Sequence, residues 1–210
     1  MSVEQWTDVV ESREEQRKKK RQAVIEAGAA LFVEKGFEGT SLDDIASKLG
    51  ITKRTIYYYV QSKDDILMEV MRQSMSFLEK LVRVSENKSQ GAIDRIQGVI
   101  DEYAEWISTD FGACLVLTRE HMLTEEVRLE LRLKKGSLDW LVRNAIAEGI
   151  ASGEIDAGCD ARLTSAAIFG ALNWVPFWNR GKTITPAEKI AEQYKYTFVE
   201  GLKCQSIRGY

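Results

Sequence analysis

Proline almost disappears from this 210-residue chain: Pro176 and Pro186 are the only two. Long stretches without a helix breaker, and few runs with the two-residue alternation of strands, predict an all-α fold. Cysteine is as scarce. Cys114, Cys159 and Cys204 are odd in number and far apart, which argues against a disulfide framework and against metal-ligand spacing. Histidine occurs once, at His121, and neither a Gly-rich phosphate loop nor a nucleophile elbow appears. An enzyme, a metal site and a cofactor are therefore not expected. No apolar run approaches the roughly 20 residues that span a bilayer. The opening MSVEQWTDVVESREEQRKKKR lacks an apolar signal core, so the expected compartment is the cytoplasm.

What is present is unevenly charged. The net charge is −3, yet Arg13 to Lys63 holds eleven basic and seven acidic residues. Positive charge gathered near one end is the footprint of a nucleic-acid module joined to something else. The run Arg17–Arg21 either meets phosphates or a minor groove, or is a solvated helix start. Residues 1–12, with Trp6, read as an N-terminal extension.

The sharpest pattern lies between Thr40 and Lys63. Thr40 or Ser41 can cap a helix whose first turn holds Asp43 and Asp44, where the helix dipole favours acids. Leu42, Ile45, Ala46 and Leu49 give that helix one apolar face. Gly50 supplies a left-handed stop, Ile51 can plug the corner, and Thr52 caps a second helix from Lys53 to about Val60, anchored by Ile56. Two short helices around a Gly turn make a helix-turn-helix. Lys53, Arg54 and Thr55 sit at the end that meets base edges, where Arg or Lys donates to guanine and a Thr methyl packs on thymine. Of three consecutive tyrosines at least one must turn inward, leaving Tyr57 and Tyr58 as the outward pair. Lys63 is expected on a phosphate, beside a helix N-terminus.

The run GFEGTSLDDIASKLGITKRTIYYYVQSKDDIL, with RQAVIEAGAALFVEKGF before it, resembles the DNA-binding segment of the TetR family of bacterial regulators over roughly residues 17–70. The resemblance implies a three-helix DNA-binding domain, a divergent all-helical ligand-binding domain and a homodimer. It makes Lys53, Arg54, Thr55, Tyr57 and Tyr58 part of the recognition helix, with Thr40 and Ser41 at the DNA backbone from the helix before it and Thr52 also among the expected DNA-binding residues. The expected domains are 13–63 for DNA binding and 64–210 for ligand binding and dimerisation, the latter with six helices near 62–86, 89–108, 111–121, 124–152, 159–180 and 186–206. A two-fold pair of recognition helices would read a palindromic operator.

The last two helices resemble the family's dimerisation pair, with Ser165, Phe169 and Leu172 on one and Tyr194, Phe198 and Leu202 on the other. A monomer can equally use such stripes as core. For the ligand, Tyr103, Trp106, Leu117, His121, Trp140, Asn173, Trp174 and Phe177 are candidate contacts. EGIASGEI and AAIFGALNWVPFW resemble a TetR subgroup that senses acyl-coenzyme A thioesters in lipid, aromatic-acid or steroid breakdown. Such a ligand would place its phosphates near basic residues such as Arg119, Arg128, Arg132 or Arg143. The expected function is thus a repressor released by a small-molecule effector. An architectural DNA-binding protein without ligand is the alternative, and it would show weak sequence preference and steep salt dependence.

Overall fold

Helix α1 (Arg13–Lys35) starts in solvent and becomes a packing helix only from Val24 onward, where Val24, Ile25, Ala27, Ala29, Leu31 and Phe32 are buried. It ends at Gly36, whose φ of 77° is left-handed. Helices α2 (Leu42–Leu49) and α3 (Lys53–Ile56) follow, then the long α4 (Lys63–Ser85). Gly28 of α1 faces the Ile66 side chain of α4. A Cβ on Gly28 would stand 2.5 Å from Ile66 Cγ2, so only glycine fits.

The computed structural model describes residues 13–85, 90–181 and 184–203. The expected extension 1–12 and Cys204 lie outside them. Among the described residues there are nine α-helices and one short 3₁₀ turn at Glu120–Met122. The fold is all-α. The only pairing of strand type among those residues is an isolated bridge between Ile155 and Lys203.

One compact unit ends at Met71 and the next begins at Arg72, several residues beyond the expected boundary at 63. The reason is packing: Ile66, Leu67, Val70 and Met71 on the first turns of α4 are fully buried. Helix α4 is thus shared, its first turns in one unit and the remainder in the other.

The second unit is built on α5 (Ala92–Ile107), with α6 (Asp110–Leu117), α7 (Glu125–Ser152), α8 (Ala161–Trp178) and α9 (Ala187–Leu202) packed against it. Ten of its residues, from Ala92 to Ile107, are buried, the mark of an inner helix apolar on most of its circumference. Even Arg95 is drawn in, its guanidinium paired with Glu148 on α7. The N-terminus of α5 has Gly91 at the cap and no capping side chain of its own. Glu154, in the loop after α7, caps it instead: its carboxylate accepts from Ala92 N at 2.8 Å and from Ile93 N at 2.9 Å. Two amide donors and the positive end of a helix dipole meet one carboxylate. Glu154→Ala is expected to lower stability by about 1–2 kcal/mol, read as a fall in thermal midpoint. An unchanged midpoint would show that water caps the helix equally well.

Candidate DNA interface and ligand cavity

The helix-turn-helix is held by a chain of local caps. Ser41 Oγ accepts from Asp44 N at 3.1 Å, and the Asp44 carboxylate accepts from Ser41 N at 2.9 Å and from the Ser41 hydroxyl, a complete capping box. Lys35 at the end of α1 reaches the same carboxylate at 2.8 Å. Gly50 stops α2 with φ 66°, and Thr52 caps α3 by accepting from Thr55 N at 3.2 Å. Helix α3 is a single turn and ends at Ile56, shorter than the expected span to Val60. The bonds Tyr58 N to Thr55 O and Tyr59 N to Ile56 O tighten the next turn to three residues, which then closes on buried Val60.

Asp44 is the acid that the fold needs ionised. The Lys35 ammonium, then the Ser41 hydroxyl and amide, hold its carboxyl well below the usual carboxylate range. A depressed folded value means stability that is complete above the unfolded carboxyl pKa of about 4 and lost as pH falls below it. Asp44→Asn is expected to flatten the acid limb of the stability curve below about pH 4. An unchanged acid limb would remove the capping box from the account.

The surface this frame presents differs in part from the sequence expectation. Tyr57 and Tyr58 are 52% and 77% exposed, as the outward pair, and Tyr59 is half-buried. Arg54 is exposed at the tip and makes no ion pair or hydrogen bond among the described residues. Lys53 is exposed too, but its ammonium lies 2.7 Å from Asp43 Oδ2, which raises the lysine's pKa. Thr55 is half-buried, its hydroxyl 2.9 Å from that of Thr52. Ser41 is exposed at the N-terminus of α2.

Two expected contacts are turned inward. Thr40 is 2% exposed, and its hydroxyl donates to Gly36 O at 2.8 Å and Leu31 O at 3.2 Å, sealing the end of α1 rather than facing a DNA strand. Lys63 donates to Phe37 O at 3.0 Å and Thr40 O at 3.4 Å, with its ammonium 4.3 Å from the centre of the Phe37 ring. It closes the turn between α1 and α2 and is not free for a phosphate. Conversely Lys48, in the last turn of α2, is exposed and unpaired among the described residues. In the sequence it is one more surface lysine, and only the position of α2 beside α3 distinguishes it. Lys63→Met is expected to lower stability by about 1–3 kcal/mol while leaving the salt dependence of DNA binding unchanged. A flatter salt dependence would return Lys63 to the phosphate-contact role.

In the second unit a cavity of about 180 Å³ is lined by Leu78, Tyr103, Lys135, Leu138, Asp139, Ala166, Phe169 and Asn173. Tyr103 and Asn173 are two of the expected ligand contacts, and they meet: the Tyr103 hydroxyl donates to Asn173 Oδ1 at 2.8 Å. Burial pushes the Tyr103 phenol up, so it stays a donor and fixes which way the amide points. Phe169, expected at a dimer interface, stands edge-on to Tyr103 at 5.5 Å and lines this cavity. Trp106 is buried behind it, stacked on Phe77 at 4.9 Å. Leu117, His121, Trp140, Trp174 and Phe177 do not line it. Trp140 is 62% exposed on α7, and Trp174 and Phe177 stack on each other at 4.7 Å on the outside of α8. Lys135, Asp139 and Leu138 give no sequence signal, since α7 reads there as an ordinary charged amphipathic helix. Of the basic candidates, Arg132 faces Glu120 at 3.7 Å and Arg143 pairs with Asp139.

The expected dimer contacts also divide. Ser165 and Leu172 are fully buried and Leu202 is 4% exposed; the Ser165 hydroxyl donates to Asp139 Oδ1 at 2.7 Å. These residues hold the subunit together. Tyr194 and Phe198 are half-buried and edge-to-face at 6.0 Å. The exposed apolar stripe of α8 runs instead through Leu163, Ala167, Gly170, Trp174 and Phe177, with Tyr196 exposed on α9. Apolar residues surround α8, so spacing alone could not tell its inner face from its outer one.

Similarity to known proteins bears on both units. Residues 24–70 match the family model for bacterial regulatory proteins of the tetR family, and residues 89–202, more than half of the chain, match the tetracyclin repressor-like C-terminal domain. The chain belongs to the TetR family. As a TetR-family protein it is a DNA-binding transcriptional regulator, not an enzyme. It is 30% identical over 164 residues to the fatty acid metabolism regulator protein of Bacillus subtilis, covering 75% of this chain and 82% of that protein. A solved TetR/AcrR-family regulator from Thermobifida fusca is 28% identical with a TM-score of 0.63, over 89% of this chain and 100% of that one. The ketosteroid regulator KstR2 of Mycobacterium tuberculosis, 20% identical, shares the fold with a TM-score of 0.78 over 89% of this chain and 96% of that one. No helix among the described residues of this TetR-family chain is long and apolar enough to cross a membrane.

Proposed function

We propose that this regulator is a homodimeric repressor that reads a palindromic operator through the α3 tip and is released by a small-molecule effector held in the second unit. The tip carries this reading: Arg54 on a one-turn helix, and Tyr57 and Tyr58 in the turn that follows it, stand exposed, braced by Ser41, Asp44, Gly50 and Thr52. An arginine that owes nothing to its own fold is free to donate to guanine, and the phenols can meet phosphates. One such tip reads only a few base pairs, so a two-fold pair on an exposed α8–α9 face supports palindrome recognition.

The cavity supports the effector. At about 180 Å³, against roughly 30 Å³ for a water-sized group, it takes about six heavy atoms, which suits the end of an acyl chain with the remainder of the molecule outside. The similarity to a fatty acid regulator favours an acyl-coenzyme A thioester. Leu78, on the cavity wall, and Lys63, beneath the helix-turn-helix, belong to the one helix α4. A ligand that moves Leu78 therefore shifts the population of operator-competent dimers. A coupling of about 1–3 kcal/mol weakens DNA binding about 5- to 150-fold. Gel shifts on an operator selected from random duplexes, titrated with acyl-coenzyme A thioesters of increasing chain length, test this. Release by at least one of them is expected, and release by none would end the thioester reading.

A further inference from the structure

We propose that Asp43 is a specificity-determining residue of the DNA interface, acting through Lys53. The proposal rests on the reading that the α3 tip meets DNA. Two cations stand side by side at that tip and are treated differently by the fold. Arg54 has no partner among the described residues, whereas Lys53 is clamped across the turn by Asp43 at 2.7 Å, with the two side chains 54% and 58% exposed. The clamp is not needed for folding. The capping box of α2 uses Ser41 and Asp44, not Asp43. An ion pair so exposed contributes little to stability.

What the pair changes is the kind of acceptor Lys53 can take. An ammonium has three donors on a flexible stem and, left free, swings to the nearest phosphate whatever the sequence. Asp43 occupies one donor and fixes the head beside the entry of α3. The remaining donors are then available to an acceptor that comes to them, such as guanine O6 or N7 on a base edge in the groove. Held in this way, Lys53 adds less to the binding of arbitrary DNA than to the binding of the operator, and that difference is specificity. On the helices flanking the helix-turn-helix, Lys35 is already taken by Asp44 and Lys63 by carbonyls, so releasing Lys53 adds a phosphate contact where few are free.

The test is a double-mutant cycle on the full-length protein, measured by fluorescence anisotropy. The probes are an operator duplex selected by the wild-type protein from a random library and a scrambled duplex of the same composition. Asp43→Asn is expected to tighten binding to the scrambled duplex by about 3- to 10-fold and to steepen its log K against log salt slope by about 0.9, one phosphate. Operator affinity should rise clearly less than scrambled-duplex affinity, so discrimination falls. In a Lys53→Met background the same substitution should do nothing to scrambled-duplex binding, and Asp43→Glu should restore most of the discrimination. If Asp43→Asn tightens both duplexes alike, or acts equally when Lys53 is methionine, Asp43 works through overall charge and the proposal is overturned. Arg54→Ala in the same assay tests the underlying reading separately. If it leaves operator binding intact, the tip is misplaced, whatever Asp43 does.

Discussion

Arg54→Ala should weaken operator binding by about 2–6 kcal/mol, about 1–3 kcal/mol for each half-site of a dimer. Arg54 is exposed at the N-terminal end of α3 and spends no hydrogen bond or ion pair on the described protein. Its removal should therefore leave thermal stability within about 0.5 kcal/mol of the parent. Loss of binding without loss of fold separates it from Lys63, whose ammonium holds the α1–α2 turn. Binding isotherms on the selected operator, beside a thermal melt, give both quantities. A loss smaller than threefold would take Arg54 out of the base-reading role.

If the proposed dimer forms through α8, Trp174→Glu should split it into monomers and reduce operator affinity by about 10²- to 10⁴-fold, the advantage that two linked reading heads hold over one. Trp174 is 59% exposed toward the C-terminal end of the apolar stripe of α8, stacked on Phe177, which is 48% exposed. Large aromatics so exposed on one helix face mark an association surface. Across the proposed α8 contact, a carboxylate in each copy would be buried without a partner. Light scattering after size exclusion reads the change directly, and a variant that stays dimeric would move the interface elsewhere. Leu172→Glu is the contrasting case. Leu172 is fully buried within its own subunit, so that substitution should unfold the chain rather than split a dimer.

The two ends of the chain differ in how plainly their residues declare themselves. The helix-turn-helix is spelled by local rules: Ser41 with Asp44 for the cap, Gly50 for the left-handed stop, Thr52 for the next cap, Ile45 and Ile56 for the inner face. Each is decided within a few residues of itself, so the outward placing of Arg54, Tyr57 and Tyr58 is legible in the amino-acid order alone. Lys63 turns inward, against the sequence expectation, because its partner Phe37 O lies 26 residues away. Thr40 does so because its hydroxyl meets Leu31 O near the end of α1 and Gly36 O, which the sequence pattern does not aim at it. The second unit is less legible still. Helix α8 is apolar on opposite sides, so Ser165, Phe169 and Leu172 look from spacing like the outer stripe that Leu163, Gly170 and Trp174 actually form. The cavity assembles residues from α4, α5, α7 and α8, and a Lys135 or an Asp139 carries no mark in the chain of which helix it will face.

The most direct test of a dimer reading a palindrome is hydroxyl-radical footprinting of the selected operator with the wild-type protein and with Arg54→Ala. Two protected patches related by a two-fold axis and centred about 34 Å apart, one helical turn, are predicted for the wild type. Both should vanish together in the variant. A single patch, or even protection along any duplex offered, would contradict the account.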